Sequence, residues 1–176
     1  MKGICFVEPL FTKVVDGSKC QTRRIIKKAP EHLSEVELAK LLAKCKYGLS
    51  EVVYLKEPYI DDLSMEDTLY KYLNEDPIIL NYSYAWKNKL FMPESAARYF
   101  IKITGVKIEK LQEISDEDCF KEGIYKNDYG FSYPGCKVKW STPQVAYKFL
   151  IDKINGLATF QNNPYVYVYD FELIEL

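Results

Sequence analysis

The chain holds a single imidazole, His32, in 176 residues. Its cysteines, Cys5, Cys20, Cys45, Cys119 and Cys136, form no C-x-x-C pair, so no recognisable zinc site is present, and their odd number argues against a disulfide framework. A reduced, cytoplasmic setting fits that usage, with no metal and no cofactor expected. No apolar run is long enough to span a membrane, and the N-terminal apolar stretch meets Glu8 too soon for a signal peptide. No membrane partner is expected. A net charge of −1 excludes a protein that grips nucleic acid by bulk electrostatics alone, which favours basic domains. Repeats, low-complexity tracts and linkers are absent, leaving one domain over 1–176.

What is present is a globular composition, 48% hydrophobic and 28% charged, enough to build a core at this length. Tyrosine dominates the aromatics; its apolar ring and polar tip suit half-buried sheet faces and the stacking of flat ligands alike. Charge is uneven. Met1 to Lys28 carries seven Lys/Arg against Glu8 and Asp16, which leaves room for a local anionic partner or for a solvated basic strand.

The periodicities outline an α+β chain. Strands are read at Gly3–Val7, Thr22–Ile26, Val52–Leu55, Ile78–Tyr84, Tyr99–Leu111 (bent at Gly105) and Tyr165–Ile174, the last with an aromatic face. Leu10–Asp16 reads as a helix stopped by Gly17, and a further helix lies between Glu31 and Lys46. Ser115 caps a short helix ending at Gly123; Thr142-Pro143 opens another, with Val145, Phe149, Ile151 and Ile154 as its apolar stripe. The acidic stretch from Asp61 to Asp76 has no clear period, and 61–90 reads either as a helical insertion or as a flap. With no β-α-β rhythm, the pattern predicts a small curled or barrel-like sheet.

Gly17-Ser18-Lys19-Cys20-Gln21-Thr22-Arg23-Arg24 gathers a turn glycine, an amine, a hydroxyl and two guanidiniums at a helix-to-strand junction. In a strand, Thr22 and Arg24 share one face and Arg23 takes the other. A hydroxyl beside cations can bind phosphate, or act as a nucleophile if a base removes its proton; an ordinary polar turn is the plain alternative. Glu122, at a helix C-terminus, faces an unfavourable dipole, which suits either a partnered carboxylate or a surface one.

These residues fit a larger pattern. Gly17 to Arg24 resembles the G-x-K-x-x-T-x-R signature of ASCH domains, with Cys20 where many members carry threonine. Tyr54-Leu55-Lys56-Glu57-Pro58-Tyr59 resembles their V-R-E-x-W strand, and Phe91-Met92-Pro93 with Arg98 their M-P-x-x-x-x-R element. Leu111 to Ile124 is similar to L-Q-x-I-S-E-E-D-A-x-x-E-G-I, and Asn163 to Val168 to N-P-W-V-W-V, as in the longer phage and bacterial members. The resemblance implies a PUA-like small β-barrel flanked by helices, with Lys19, Thr22, Arg24 and Glu122 converging on a cleft beside the first helix.

It further implies two functional classes. One is recognition of RNA or a modified nucleotide, with Gln21, Arg23, Arg24, Glu57, Tyr59 and Arg98 as binding residues. The other is hydrolysis: amidohydrolase action on a modified nucleoside such as N4-acetylcytidine, or ribonuclease action, with Lys19, Thr22 and Glu122 as the catalytic set. Lys19 would need a depressed pKa to act as a base, and a direct ion pair with Glu122 would oppose that.

Overall fold

A computed structural model describes residues 1–60, 68–72 and 86–175. The strand expected at Ile78–Tyr84 and most of the 61–90 insertion or flap lie outside them. The chain is a mixed α+β structure built on one five-stranded mixed sheet of order β1-β3-β6-β9-β2. The elements follow in chain order as β1 (Lys2–Cys5), α1 (Glu8–Val15), β2 (Gln21–Ile25), α2 (Glu35–Leu42) and β3 (Val52–Lys56). Then come the short β4 (Tyr59–Ile60) and β5 (Leu69–Tyr70), the long β6 (Phe100–Lys110), α3 (Asp116–Lys121), β7 (Tyr125–Asn127), β8 (Gly130–Ser132), α4 (Pro143–Asn155) and β9 (Tyr165–Ile174).

β6 and β9 form the spine, an antiparallel pair running from Phe100↔Ile174 to Lys110↔Tyr165. Its register shifts between Ile103 and Gly105, at the residue read as a bend; a Cβ at Gly105 would lie 2.7 Å from Asp170 Oδ2, so only glycine fits the bulge unmoved. β1 runs parallel to β3, and β2 antiparallel to β9. β1 and β2 are the two edges of this sheet, and no ladder joins them, so the sheet is open where a barrel was expected. β1 ends at Cys5, where the chain turns toward α1. Across the gap one side chain reaches: Arg24 of β2 donates to the Cys5 carbonyl at 2.8 Å.

The core gathers Ile4 and Phe6, Phe11 of α1, Val53 and Leu55, Ile101 and Ile103, Val166 and Val168, and Tyr147 of α4. Tyr169 and Phe171 are buried as well as Val166 and Val168, so β9 is covered on both faces rather than alternating. Two expectations shift. In α4 the buried stripe is Ala146, Tyr147, Leu150 and Ile151, while Phe149 and Ile154 stand exposed; Tyr147 takes a core position that its hydroxyl hides from an apolar count. α2 is shorter than read, because a Ser34–Glu37 capping box fixes its start, and it buries no residue fully.

Candidate functional site

The site begins where α1 ends. Gly17 has φ +77°, and the Lys19 amide donates to the Lys13 carbonyl at 2.7 Å, closing the helix and turning the chain inward. The Cys20 amide then donates to the carbonyl of Lys121, which lays the start of β2 against the end of α3. Glu122 caps that helix, and Gly123 follows at φ +99°, where a Cβ would press Leu10 at 3.3 Å. Two turns of positive φ thus bring Lys19 and Glu122 face to face.

Both are buried. Lys19 Nζ lies 2.6 Å from Glu122 Oε2, and it also donates to the Glu122 carbonyl at 2.9 Å and the Gln21 carbonyl at 2.7 Å. These acceptors use every proton of the ammonium, so in this state Lys19 is a fixed positive charge with no donor to spare. Burial, helped by the charges of Arg24 and Arg23, holds its pKa below the usual lysine value of 10.5 against the opposing pull of Glu122.

Arg23 is likewise spent. Its Nε and Nη2 donate to Glu109, Nη2 also to Asp118, and Nη1 to Gln21 and Glu122, matching all its N–H groups with acceptors. Its side chain has no exposed surface. Gln21 completes the network by donating to Asp118 and Asp170. Arg23 and Gln21, expected among the binding residues, join β2 to β6, β9 and α3, and Arg23 also lines the cleft.

On the other strand face the groups are unspent. Thr22 is 4% exposed, and its hydroxyl has no hydrogen-bond partner among the described residues. Arg24 stacks on Phe6 at 5.3 Å and bonds Cys5, yet its Nε is buried without a partner. Thr22, Arg24, Lys19 and Glu122 line one cleft of about 200 Å³, with Phe6 and Tyr147 among its walls. The Tyr147 hydroxyl is also buried and unpaired, and burial beside Glu122 raises its pKa well above 10.0, keeping it neutral. Arg24 Nε and Tyr147 Oη are the buried side-chain polar atoms left unsatisfied among the described residues, and both belong to this cleft. Tyr147 escaped the sequence reading because a tyrosine at core spacing looks like filler; of Arg23's partners, Asp118 lies in an acidic helix start and Glu109 between two lysines, and neither carried a signal of its own.

Glu57, Tyr59 and Arg98 lie elsewhere. Arg98 grips Glu57 in a fork, Nε to Oε1 at 2.7 Å and Nη2 to Oε2 at 2.8 Å, and donates to the Tyr72 carbonyl. Burial raises the pKa of Glu57 despite Arg98. Tyr59 packs with Met92 and Ala96 in a small second core. None of the three lines the cleft, and the Glu57–Arg98 pair ties the end of β3 to the segment before β6.

Among the described residues no group of three or more His, Cys, Asp or Glu could hold a metal ion, and no helix is long and apolar enough to cross a membrane. No family model and no curated protein matches the chain. A crystal structure of an Enterococcus faecalis V583 protein described under the family model DUF984 is similar over 99% of this chain and 80% of that one, at TM-score 0.45 and 13% identity. A likeness at that level carries no argument about function.

Proposed function

We propose that the cleft recognises RNA or a modified nucleotide in the cytoplasm, through Thr22, Arg24 and Tyr147, with the Lys19–Glu122 pair fixing the floor. The observation that carries this reading is the pairing of two unsatisfied buried groups, Arg24 Nε and Tyr147 Oη, in one recess. Native proteins leave few such groups orphaned, because each costs about 1–3 kcal/mol, and a site built to bind a polar ligand is a standard exception. At about 200 Å³ the recess is below the roughly 300–1,000 Å³ of drug-sized sites, and it suits one base or nucleoside. Phe6 is buried beneath the Arg24 guanidinium, 5.3 Å from its ring centroid, and supports that group at the wall of the recess. The ASCH-like, PUA-like reading of the fold belongs to the same proposal; the Arg24–Cys5 contact across the open sheet edges supports it.

A second reading rests on the free Thr22 hydroxyl in the same cleft as a lysine whose pKa burial lowers. In an N4-acetylcytidine hydrolase, the Thr22 oxygen attacks the acetyl carbonyl as its proton passes to a neutral Lys19 amine. The C–N bond then breaks, the leaving amine takes that proton, and water releases acetate from the acyl-threonine. A neutral Lys19 has one donor fewer, and it would give up its contact with Glu122 Oε2.

The test is incubation with N4-acetylcytidine and with short RNAs, using the wild type beside Lys19→Ala and Thr22→Ala. Binding without turnover, weakened by salt, supports recognition. Deacetylation lost in both variants supports the hydrolase, and variants that are merely destabilised with no ligand bound leave a structural role alone.

A further inference from the structure

Beside the cleft, on the far side of Arg24, lies a second and larger cavity. This groove, about 540 Å³, shares Cys5, Arg24 and Ile25 with the cleft and runs between the sheet edges to Lys46, Lys56, Tyr167 and Tyr169. Its charge is one-sided: Arg24, Lys46 and Lys56 line it, and no carboxylate does. The cleft is lined by Lys19, Arg23 and Lys89 besides Arg24, and there the Glu122 carboxylate faces both Lys19 and Arg23. A set of cations with no carboxylate among them therefore lies on the groove side of Arg24, which suits an anionic group there.

The cations of the groove are open to a ligand. Lys46 is exposed, lies 4.9 Å from the Tyr47 ring centroid and has no carboxylate partner among the described residues. Lys56 commits one proton, to the Leu90 carbonyl at 2.9 Å, and keeps the others. Arg24 turns a single N–H to Cys5 and has Nε buried and unpaired between the two cavities. The aromatic walls are fixed. Tyr47 donates to the Gly3 carbonyl and Tyr167 to the Leu41 carbonyl, while the Tyr169 hydroxyl accepts from the Lys46 amide. Tyr47 and Tyr169 are buried and pack edge-on to each other, so Tyr167, half-buried and held by its hydroxyl, is the ring left to meet a base, and such stacking tolerates any base.

Resting on the proposed function, we infer that the ligand is longer than one nucleoside: a single-stranded RNA with one nucleoside in the cleft, its phosphodiester on Arg24, and the neighbouring nucleotide in the groove against Lys46 and Tyr167. Sequence choice would then be made in the cleft, by Thr22 and Tyr147, and strand affinity in the groove. A free nucleoside fills only part of this site.

The test compares ribonucleosides, N4-acetylcytidine included, with the corresponding dinucleotides and a short single-stranded RNA, by calorimetry on wild type, Lys46→Gln and Lys46→Gln/Lys56→Gln. A dinucleotide is expected to bind about tenfold more tightly than its nucleoside, one good charge-assisted contact being worth about that factor. Its affinity should fall with salt, with a log–log slope near −0.7 per phosphate held, and the nucleoside's should not. The lysine variants should weaken dinucleotide binding about threefold to tenfold and leave nucleoside binding unchanged. Equal affinity of nucleoside and dinucleotide in the wild type, or dinucleotide binding untouched by both variants, overturns the inference while the recognition reading stands. If no nucleoside, dinucleotide or RNA binds, the recognition reading fails and this inference with it.

Discussion

Lys19 Nζ meets Glu122 Oε2 at 2.6 Å across 103 residues of chain, with neither side chain more than 6% exposed. A buried pair of this kind is weak evidence of net stability, because desolvation offsets the attraction, but breaking it on one side is costly. Glu122 also faces Arg23 Nη1 at 3.3 Å, so one carboxylate balances two cations. The catalytic-looking set is thus first a structural lock, and its removal must be separated from any loss of function.

Glu122→Gln is therefore expected to destabilise the fold by about 3–5 kcal/mol in urea denaturation, since it strands the Lys19 ammonium. Adding Lys19→Met should recover part of that loss. The two residues touch, so the double-mutant cycle should show coupling of about 1–3 kcal/mol. Additive effects would mean the pair is not formed in solution.

Arg23→Lys should also destabilise, by about 2–4 kcal/mol, although charge is kept, because an ammonium cannot serve Gln21, Glu109, Asp118 and Glu122 at once. Nucleotide affinity measured below the melting temperature should change little. A variant with full stability and lost binding would move Arg23 from the scaffold to the ligand.

The same network sets an acid limit. Burial raises the pKa of Asp118, but the hydrogen bond and charge of Arg23, aided by Gln21 and Lys107, outweigh it and hold the pKa below 3.8. With the folded value below the unfolded one, the stabilisation is complete above pH 3.8 and is lost as the pH falls through the lowered value. The stability gap between wild type and Asp118→Asn should accordingly narrow on going from neutral pH to below that point. A gap that widens in acid would reverse the sign and refute the assignment.

Tyr147→Phe removes a buried hydroxyl that has no partner. Without ligand the variant should match the wild type within about 0.5 kcal/mol or be more stable, since an orphaned polar group goes with it. Ligand affinity should fall about fivefold to tenfold if the hydroxyl bonds the ligand. A marked loss of stability with unchanged affinity would show that ordered water satisfies the hydroxyl and that it plays no part in binding.

Local patterns carried much of this fold. Gly17, Ser115, Thr142-Pro143 and the β-branched runs marked α1, α3, α4, β6 and β9 within a residue or two, because caps and periodicities act over a few residues. The meeting of Lys19 with Glu122 was implied by a family resemblance and by the awkward placement of an acid at a helix end; no local rule supplies a contact across 103 residues. The division of labour on β2 was half legible. Alternation put Arg23 opposite Thr22 and Arg24, yet only the acceptors on β6 and α3 decide that Arg23 is consumed and Arg24 is not. Glu57 and Arg98 entered the reading through the family resemblance, and no local rule supplies the ion pair that joins them across 41 residues.

The most direct test is a titration of short single-stranded RNA into wild type and Arg24→Gln, followed by calorimetry with the thermal midpoint of each protein measured alongside. Wild type should bind with an affinity that drops as salt rises, and Arg24→Gln should lose about tenfold or more of it while melting within a few degrees of the parent. Equal binding by both proteins, or none by either, would contradict the assignment of the cleft.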